Sequence, residues 1–356
     1  MTLCLSRAAR LLAIASGLLL GLACVPRAAA ADDDTLTIIN GASPAAFYLV
    51  LQHTAQYAGF FKEEHLTIES QYTNGAGPAA QLVASGKGDL SAMSVEPALL
   101  GYEKGLRLVF FFDYDPRFNW VLGVLDDSPI RTLADFKGTT IGEISPGSAV
   151  EPILTTQLAG AGVSRSDYAI VPIGVGTQAL TAIVNKQVAG AAFPSVELAM
   201  EGVQGNVKFR YFRFPLFSDV GNTGYFASQA AVATKGPLLA RFARAIAKAS
   251  ILIRENPRLA ARYFCEGAGI KVTDQAVDDM TRKLELTQDD LPGVDPESRR
   301  IGQINRNGLT LYAKFLADNG LTHAPAPIAA ITTDQFIPFA NDFDHKAMIA
   351  RAKAMR

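Results

Sequence analysis

Cysteine is scarce in this 356-residue chain: there are three, and Cys4 and Cys24 lie in a short apolar leader. Removal of that leader would leave Cys265 alone, so no internal disulfide could form. Its setting, Arg262-Tyr263-Phe264-Cys265, reads as the packed side of a helix and therefore as an inert buried thiol. The four histidines, His53, His65, His323 and His345, show no metal-ligand spacing, and the acidic run Asp32 to Asp34 reads as a frayed terminus, so no metal centre is expected. No Ser-His-Asp arrangement and no GxxxxGK[ST] phosphate loop occurs. The longest apolar run, Leu11 to Ala23, is too short for a bilayer that needs ~20 residues, and nothing later is long and uncharged enough.

What is present begins with that leader. Arg7 and Arg10 precede the apolar run, and small residues from Ala28 to Ala31 follow it, the order of a secretory signal peptide over residues 1–31. Ala29 and Ala31 fit a small-x-small cleavage site; Leu22-Ala23-Cys24 offers lipidation at Cys24 as the other reading. Cleavage after Ala31 removes Arg7, Arg10 and Arg27 from 33 basic residues and none of the 34 acidic ones, leaving 30 against 34. A net charge of −4 argues against nucleic acid or an anionic membrane as the main partner. With 49% hydrophobic and 19% charged residues the rest can bury a large core, and its length suggests two domains. A periplasmic, monomeric protein without a cofactor is expected.

Residues 40–77 read as strand end, loop, helix, strand and second loop. Ser43 suits an N-cap and Pro44 the first helical position; Phe47, Val50, Leu51, Thr54, Tyr57 and Ala58 recur at helical spacing up to Gly59. Leu66 to Tyr72 alternates as a strand and breaks at Asn74-Gly75-Ala76-Gly77. Such a βαβ unit puts both loops at the end of the sheet where ligands bind. The alternation of strands and helices continues, with Leu106 to Phe112 reading as a parallel interior strand. A second stretch of the same kind follows Asp126-Asp127-Ser128-Pro129. The tail is helical, led by Leu238 to Asn256 with apolar residues at 239, 242, 246, 249 and 253.

The halves echo one another. Gly75-Ala76-Gly77 returns as Gly174-Val175-Gly176, and Ser94-Val95-Glu96-Pro97-Ala98-Leu99 as Ser195-Val196-Glu197-Leu198-Ala199-Met200. Each half would then present a Gly-rich loop and a Ser-Val-Glu helix start at its strand ends. Two readings of the serines stand: helix capping, with the glutamates serving the helix dipole, or backbone N–H groups at 94–96 and 145–149 binding ligand oxygens. Glu96 or Glu197 could instead receive an amino group or a ring N–H.

Taken together, Ser43-Pro44 through Gly59-Phe60-Phe61-Lys62-Glu63-Glu64, Gln81-Leu82-Val83-Ala84-Ser85-Gly86-Lys87-Gly88-Asp89, and Asp127-Ser128-Pro129 through Lys137-Gly138 resemble the periplasmic solute-binding proteins of ABC importers. The group is the one that includes nitrate, taurine, alkanesulfonate and thiamine-pyrimidine binders, and the similarity runs from about residue 35 to 255. The resemblance implies an α/β fold of two lobes with parallel-dominated sheets, type II in this class, hinged by two crossing segments. Lobe 1 would comprise 33–122 and 225–354, and lobe 2 123–224. It implies a small organic solute as ligand and a transmembrane permease as partner. By position, the ligand residues would be Ser43, Pro44, Phe47, Asn74, Gly75, Ser94, Glu96, Asn119, Trp120, Ser145, Gly147, Ser148, Pro194, Ser195, Glu197 and Asn222. Trp120 would either stack on a planar ligand or pack at the hinge. A ligand-sensing module for a membrane receptor is the alternative role. Some relatives make the thiamine pyrimidine from pyridoxal phosphate, which needs a lysine in or near the first loop; none lies between Asp32 and Phe61. His53, mid-helix, is expected to be structural. Arg117 is the only basic residue near a proposed loop or crossing, and Glu96, Glu151 and Glu197 favour an organic or nitrogen-bearing ligand over a bare inorganic anion.

Overall fold

The computed structural model describes residues 34–115, 119–144, 150–214, 220–221, 223–287 and 300–356. The signal peptide with Cys24 and its cleavage site, and Arg117, Phe118, Ser145, Gly147, Ser148 and Asn222, lie outside the described residues. Among the described residues the strands are β1 (Asp34–Asn40), β2 (Leu66–Tyr72), β3 (Leu90–Ser94), β4 (Leu108–Asp115), β5 (Trp120–Leu125), β6 (Thr140–Glu143), β7 (Ala169–Pro172), β8 (Gly190–Pro194), β9 (Phe209–Arg213) and β10 (Thr223–Ser228).

They form two five-stranded sheets of the same design. The first has the order β2-β1-β3-β10-β4 and the second β7-β6-β8-β5-β9. In each, four strands run one way and one runs against them: β10 pairs antiparallel with β3 and β4, and β5 with β8 and β9. Strands β1 to β4 thus correspond to β6 to β9, and each inserted strand directly follows or precedes a passage between sheets. The chain makes that passage twice, from β4 to β5 and from β9 to β10. By contacts, Asp33–Arg356 forms one compact unit.

The helices follow from local chemistry. Gly59, Gly86 and Gly105 take φ of +80°, +76° and +86° and close the turns after their helices, which a side chain would resist. The helix Gly236–Glu255 buries Leu239, Phe242, Ile246, Ala249 and Ile253 against the first sheet, each large apolar side chain contributing about 1.5–3 kcal/mol. Pro257 starts a new helix, which Asn256 caps by accepting from the Leu259 N–H. One core lies on this face of the first sheet. A second joins residues of both sheets, including Ile39, Met93 and Phe226 with Leu122, Val124 and Ile141.

Two local expectations are corrected. The first helix does not begin at Ser43. Ala46 is extended, with φ −66° and ψ 128°, so a 3-10 turn starts only at Phe47 and the α-helix runs Val50–Tyr57. Ser43 instead offers its carbonyl to the Ala46 N–H in a turn, 3.0 Å away. The apolar strand expected in a parallel interior is β4, an antiparallel edge strand. It is buried because other segments cover its outer side, through bridges Phe110–Thr332 and Asp113–Gly302.

Candidate ligand-binding site

The loops after β1, β2, β3, β6, β7 and β8 all open on one cavity of about 1180 Å³. Because β1 to β3 and β6 to β8 are parallel within their sheets, their carboxyl ends bring these loops together. Of the residues expected to bind ligand, Ser43, Phe47, Asn74, Gly75, Ser94, Glu96, Asn119, Trp120, Pro194 and Glu197 line this cavity. Pro44 and Ser195 do not. Pro44 sits in the turn before the helix, where its carbonyl oxygen lies 2.9 Å from His53 Nε2; His53 is buried there and structural. Ser195 is the first helical residue, and its N–H donates to the Asn119 carbonyl at 2.9 Å.

The capping reading of the serines is not what the structure shows. The helices Glu96–Gly101 and Ser195–Gly205 have Val95 and Pro194 at their N-caps, and neither has a side-chain cap. The same holds for three further helices after cavity loops: Ala76–Ala84 behind Gly75, Glu151–Gly160 behind Val150 and Thr177–Val184 behind Gly176. Elsewhere five helices are capped by Ser228, Asn256, Thr273, Asn305 and Asp344, while others, Gly236–Glu255 among them, have no side-chain cap either. The first N–H groups of a helix have no intrahelical acceptor. Those of Ala76–Ala84 and Glu151–Gly160 begin at residues that line the cavity; in Ser195–Gly205 the first N–H is taken by the Asn119 carbonyl, and the next two residues, Val196 and Glu197, line it, so each helix start turns donors and its dipole toward a ligand oxygen there.

The side chains set the rest of the chemistry. Phe47, Tyr48 and Trp120 form aromatic wall. Glu96 is buried; its Oε1 accepts from the Tyr312 hydroxyl at 3.0 Å, and its Oε2 has no partner among the described residues. Burial pushes its carboxyl up to about 7, with the hydroxyls of Ser94 and Tyr312 pulling the other way. The Tyr114 hydroxyl and Asn119 Oδ1 are likewise buried without a partner among the described residues, and both residues line the cavity. Burial raises the phenols of Tyr114 and Tyr48, so both stay protonated and able to donate.

Two cations reach the cavity that the sequence reading missed. Arg165 lies 3.9 Å from Glu151 and stacks on Tyr168. Lys283 Nζ lies 2.6 Å from Glu197 Oε1 and 4.5 Å from the Phe47 ring centroid. The lysine that the first loop lacks in sequence is therefore brought beside it by a distant helix. The available cue was its place between Met280 and Leu284, two buried positions of the helix Asp274–Leu286. Cys265 is buried, and burial raises its thiol. Among the described residues no group of histidine, cysteine and acidic side chains could hold a metal, and no helix is long and apolar enough to cross a membrane.

Comparisons bear on this geometry. A family model described as NMT1/THI5 like matches residues 47–260. No curated protein matches the sequence. Among solved structures, a protein from Bordetella bronchiseptica RB50 matches with a TM-score of 0.71 and 22% identity, covering 87% of this chain and 98% of its own. The alkanesulfonate-binding protein SsuA from Xanthomonas axonopodis pv. citri, solved with MOPS bound, matches at 0.63 and 20% identity over 85% of this chain and 99% of its own. The periplasmic aliphatic sulphonate binding protein SsuA from Escherichia coli matches at 0.62 and 19% over 84% and 91%. The desulfurization enzyme DSZB shares the fold as well. The chain thus has the fold of periplasmic binding proteins.

Proposed function

The chain belongs to the NMT1/THI5-like family, and from that premise we propose that it is an exported solute-binding protein that captures a small organic solute in this cavity and delivers it to the permease of an ABC importer. The observation that carries the reading is the set of uncapped helix N-termini entering one aromatic-walled cavity from both sheets. Donors without acceptors suit an acceptor-rich head group, a carboxylate or sulfonate oxygen. The walls suit an apolar or aromatic body. A cavity of about 1180 Å³ is far larger than a bare inorganic anion needs, and Glu151 and Glu197 already neutralise Arg165 and Lys283.

The two sheets are read as the cores of two lobes. All of β5 pairs within the second sheet, so Trp120 to Leu122 go with lobe 2 and the first crossing lies before them. The second crossing lies between β9 and β10. Asn119, on the first crossing, and Thr223, where β10 takes over from the second, line the cavity, as expected for a site that a hinge movement would open and close. The periplasm is the compartment this role requires, with the N-terminal leader as the export signal.

Thermal unfolding with a panel of alkanesulfonates, MOPS, aromatic carboxylates, pyrimidines and nitrate tests the reading. A ligand at 100 times its dissociation constant stabilises by about 2.7 kcal/mol. Organic members should shift the transition and be recovered chemically unchanged; a large shift with nitrate alone, or conversion of the solute, would overturn it. Trp120 is the only tryptophan and borders the cavity, so the same titrations should change tryptophan emission with the same midpoint. Constant emission at saturating ligand would remove Trp120 from the site.

A further inference from the structure

Glu197 and Lys283 are 86 residues apart and sit on different layers. Glu197 is in the first turn of the helix leaving β8, in the second sheet. Lys283 is on the helix Asp274–Leu286, which packs on the helix Pro257–Gly267, which in turn packs on Val50–Tyr57 beside the first sheet. Their 2.6 Å ion pair therefore ties the two layers together at the cavity wall. Both side chains are mostly shielded from water, at 16% and 15% exposure. Phe47, in the loop after β1, lies under the ammonium at 4.5 Å and fixes its position through a cation–π contact. Glu201, one turn beyond Glu197, adds a second carboxyl within the field of Lys283.

We propose that Lys283 is the closing residue of the cleft: its contacts with Glu197 and Phe47 hold the two layers shut and slow the escape of a bound solute. This rests on the solute-binding reading of the cavity. A shielded, charge-assisted hydrogen bond between layers exists only while they touch, and on separation both groups return to water, where such a pair has little strength. The pair thus favours the shut arrangement whatever the solute is. Lys283 is a positioning residue in this scheme, because it acts by holding Glu197 and Phe47 together.

The test compares wild type, Lys283→Met, Glu197→Gln and the exchanged double variant Lys283→Glu with Glu197→Lys. Circular dichroism first confirms that each is folded. Small-angle scattering of the ligand-free proteins should give a larger radius of gyration for both single variants and a return toward wild type for the exchange. Release of a solute found by the thermal panel should quicken about tenfold or more in the single variants, as loss of a charge-assisted hydrogen bond implies. It should recover in the exchange. Unchanged radius and release rate in both single variants would overturn the proposal. A change in radius with no solute bound by any protein would leave the closing pair standing and sink the binding role instead.

Discussion

Glu96→Gln is expected to raise the stability of the ligand-free protein at pH 8 and to leave it nearly unchanged at pH 4.5. Burial raises the Glu96 carboxyl from an ordinary 4.5 to about 7, so the folded state keeps a proton that the unfolded chain has already lost over that interval. The folded state is then the one that binds more protons. Stability falls as pH rises from 4.5 through 7 and stays lowered above it. Two and a half pH units correspond to roughly 3 kcal/mol at the plateau. Glutamine is neutral throughout and keeps a carbonyl oxygen for the Tyr312 hydroxyl, so it removes the ionisation cost and little else. At about 1–2 °C per kcal/mol for a chain of this length, the gain at pH 8 is a few degrees. Thermal unfolding of both proteins at the two pH values measures it. The difference between variant and wild type, not either curve alone, carries the test, because other carboxyls titrate in the same window. An equal difference at both values would show that the carboxyl is not held neutral by burial.

Gly75→Ala and Gly41→Val should each lower both stability and solute affinity. Gly75 precedes the helix Ala76–Ala84 at φ 118° and ψ 157°, a region that residues with a side chain hardly enter, at a cost of order 1–3 kcal/mol. Gly41 is constrained differently. A Cβ there would stand 2.9 Å from the Ala76 Cα, because the two loops pack backbone to backbone, joined by the Gly75 N–H to the Gly41 carbonyl at 3.0 Å. Backbone cannot swing aside as a side chain can. A larger residue must therefore displace the start of the helix, at about 1–3 kcal/mol for overpacking. The displaced atoms are the donors offered to the ligand, so affinity should fall at least tenfold. Gly269→Ala is the control: it also has positive φ, +69°, but no atom lies within 4 Å of its added carbon and it lies off the cavity lining. It should lose stability and keep affinity. Equal losses of affinity in all three would mean that the cavity loops hold no special place.

The elements were legible where one residue decides the backbone. Gly59, Gly86 and Gly105 marked helix ends because only glycine takes their φ freely. The echoed Gly-x-Gly and Ser-Val-Glu segments marked equivalent places in two sheets, since both follow β2 and β3 in one and β7 and β8 in the other. The order of strands was hidden. β10 enters between β3 and β4 from more than a hundred residues away, and no local pattern reports such a partner. β4 misled for a related reason: its apolar run reflects cover by the Gly302 and Thr332 segments, which an interior parallel position would mimic. In the site, loop positions taken from the resemblance mostly reached the cavity. Lys283, Arg165 and Tyr114 come from a helix, a 3-10 turn and a strand end without motifs, and only tertiary packing assembles them.

The exchanged strands also dictate an order of assembly. Every strand of the second sheet lies between residues 120 and 213, so that sheet can be completed from one uninterrupted stretch. The first sheet cannot: with the chain emerging from its N-terminus, β3 and β4 have no strand to separate and join them until Thr223–Ser228 arrives. The half that is made first is therefore finished last, and it waits with open backbone edges while the later half closes. A fragment cut between the halves would inherit the same gap, permanently in its first part and not at all in its second.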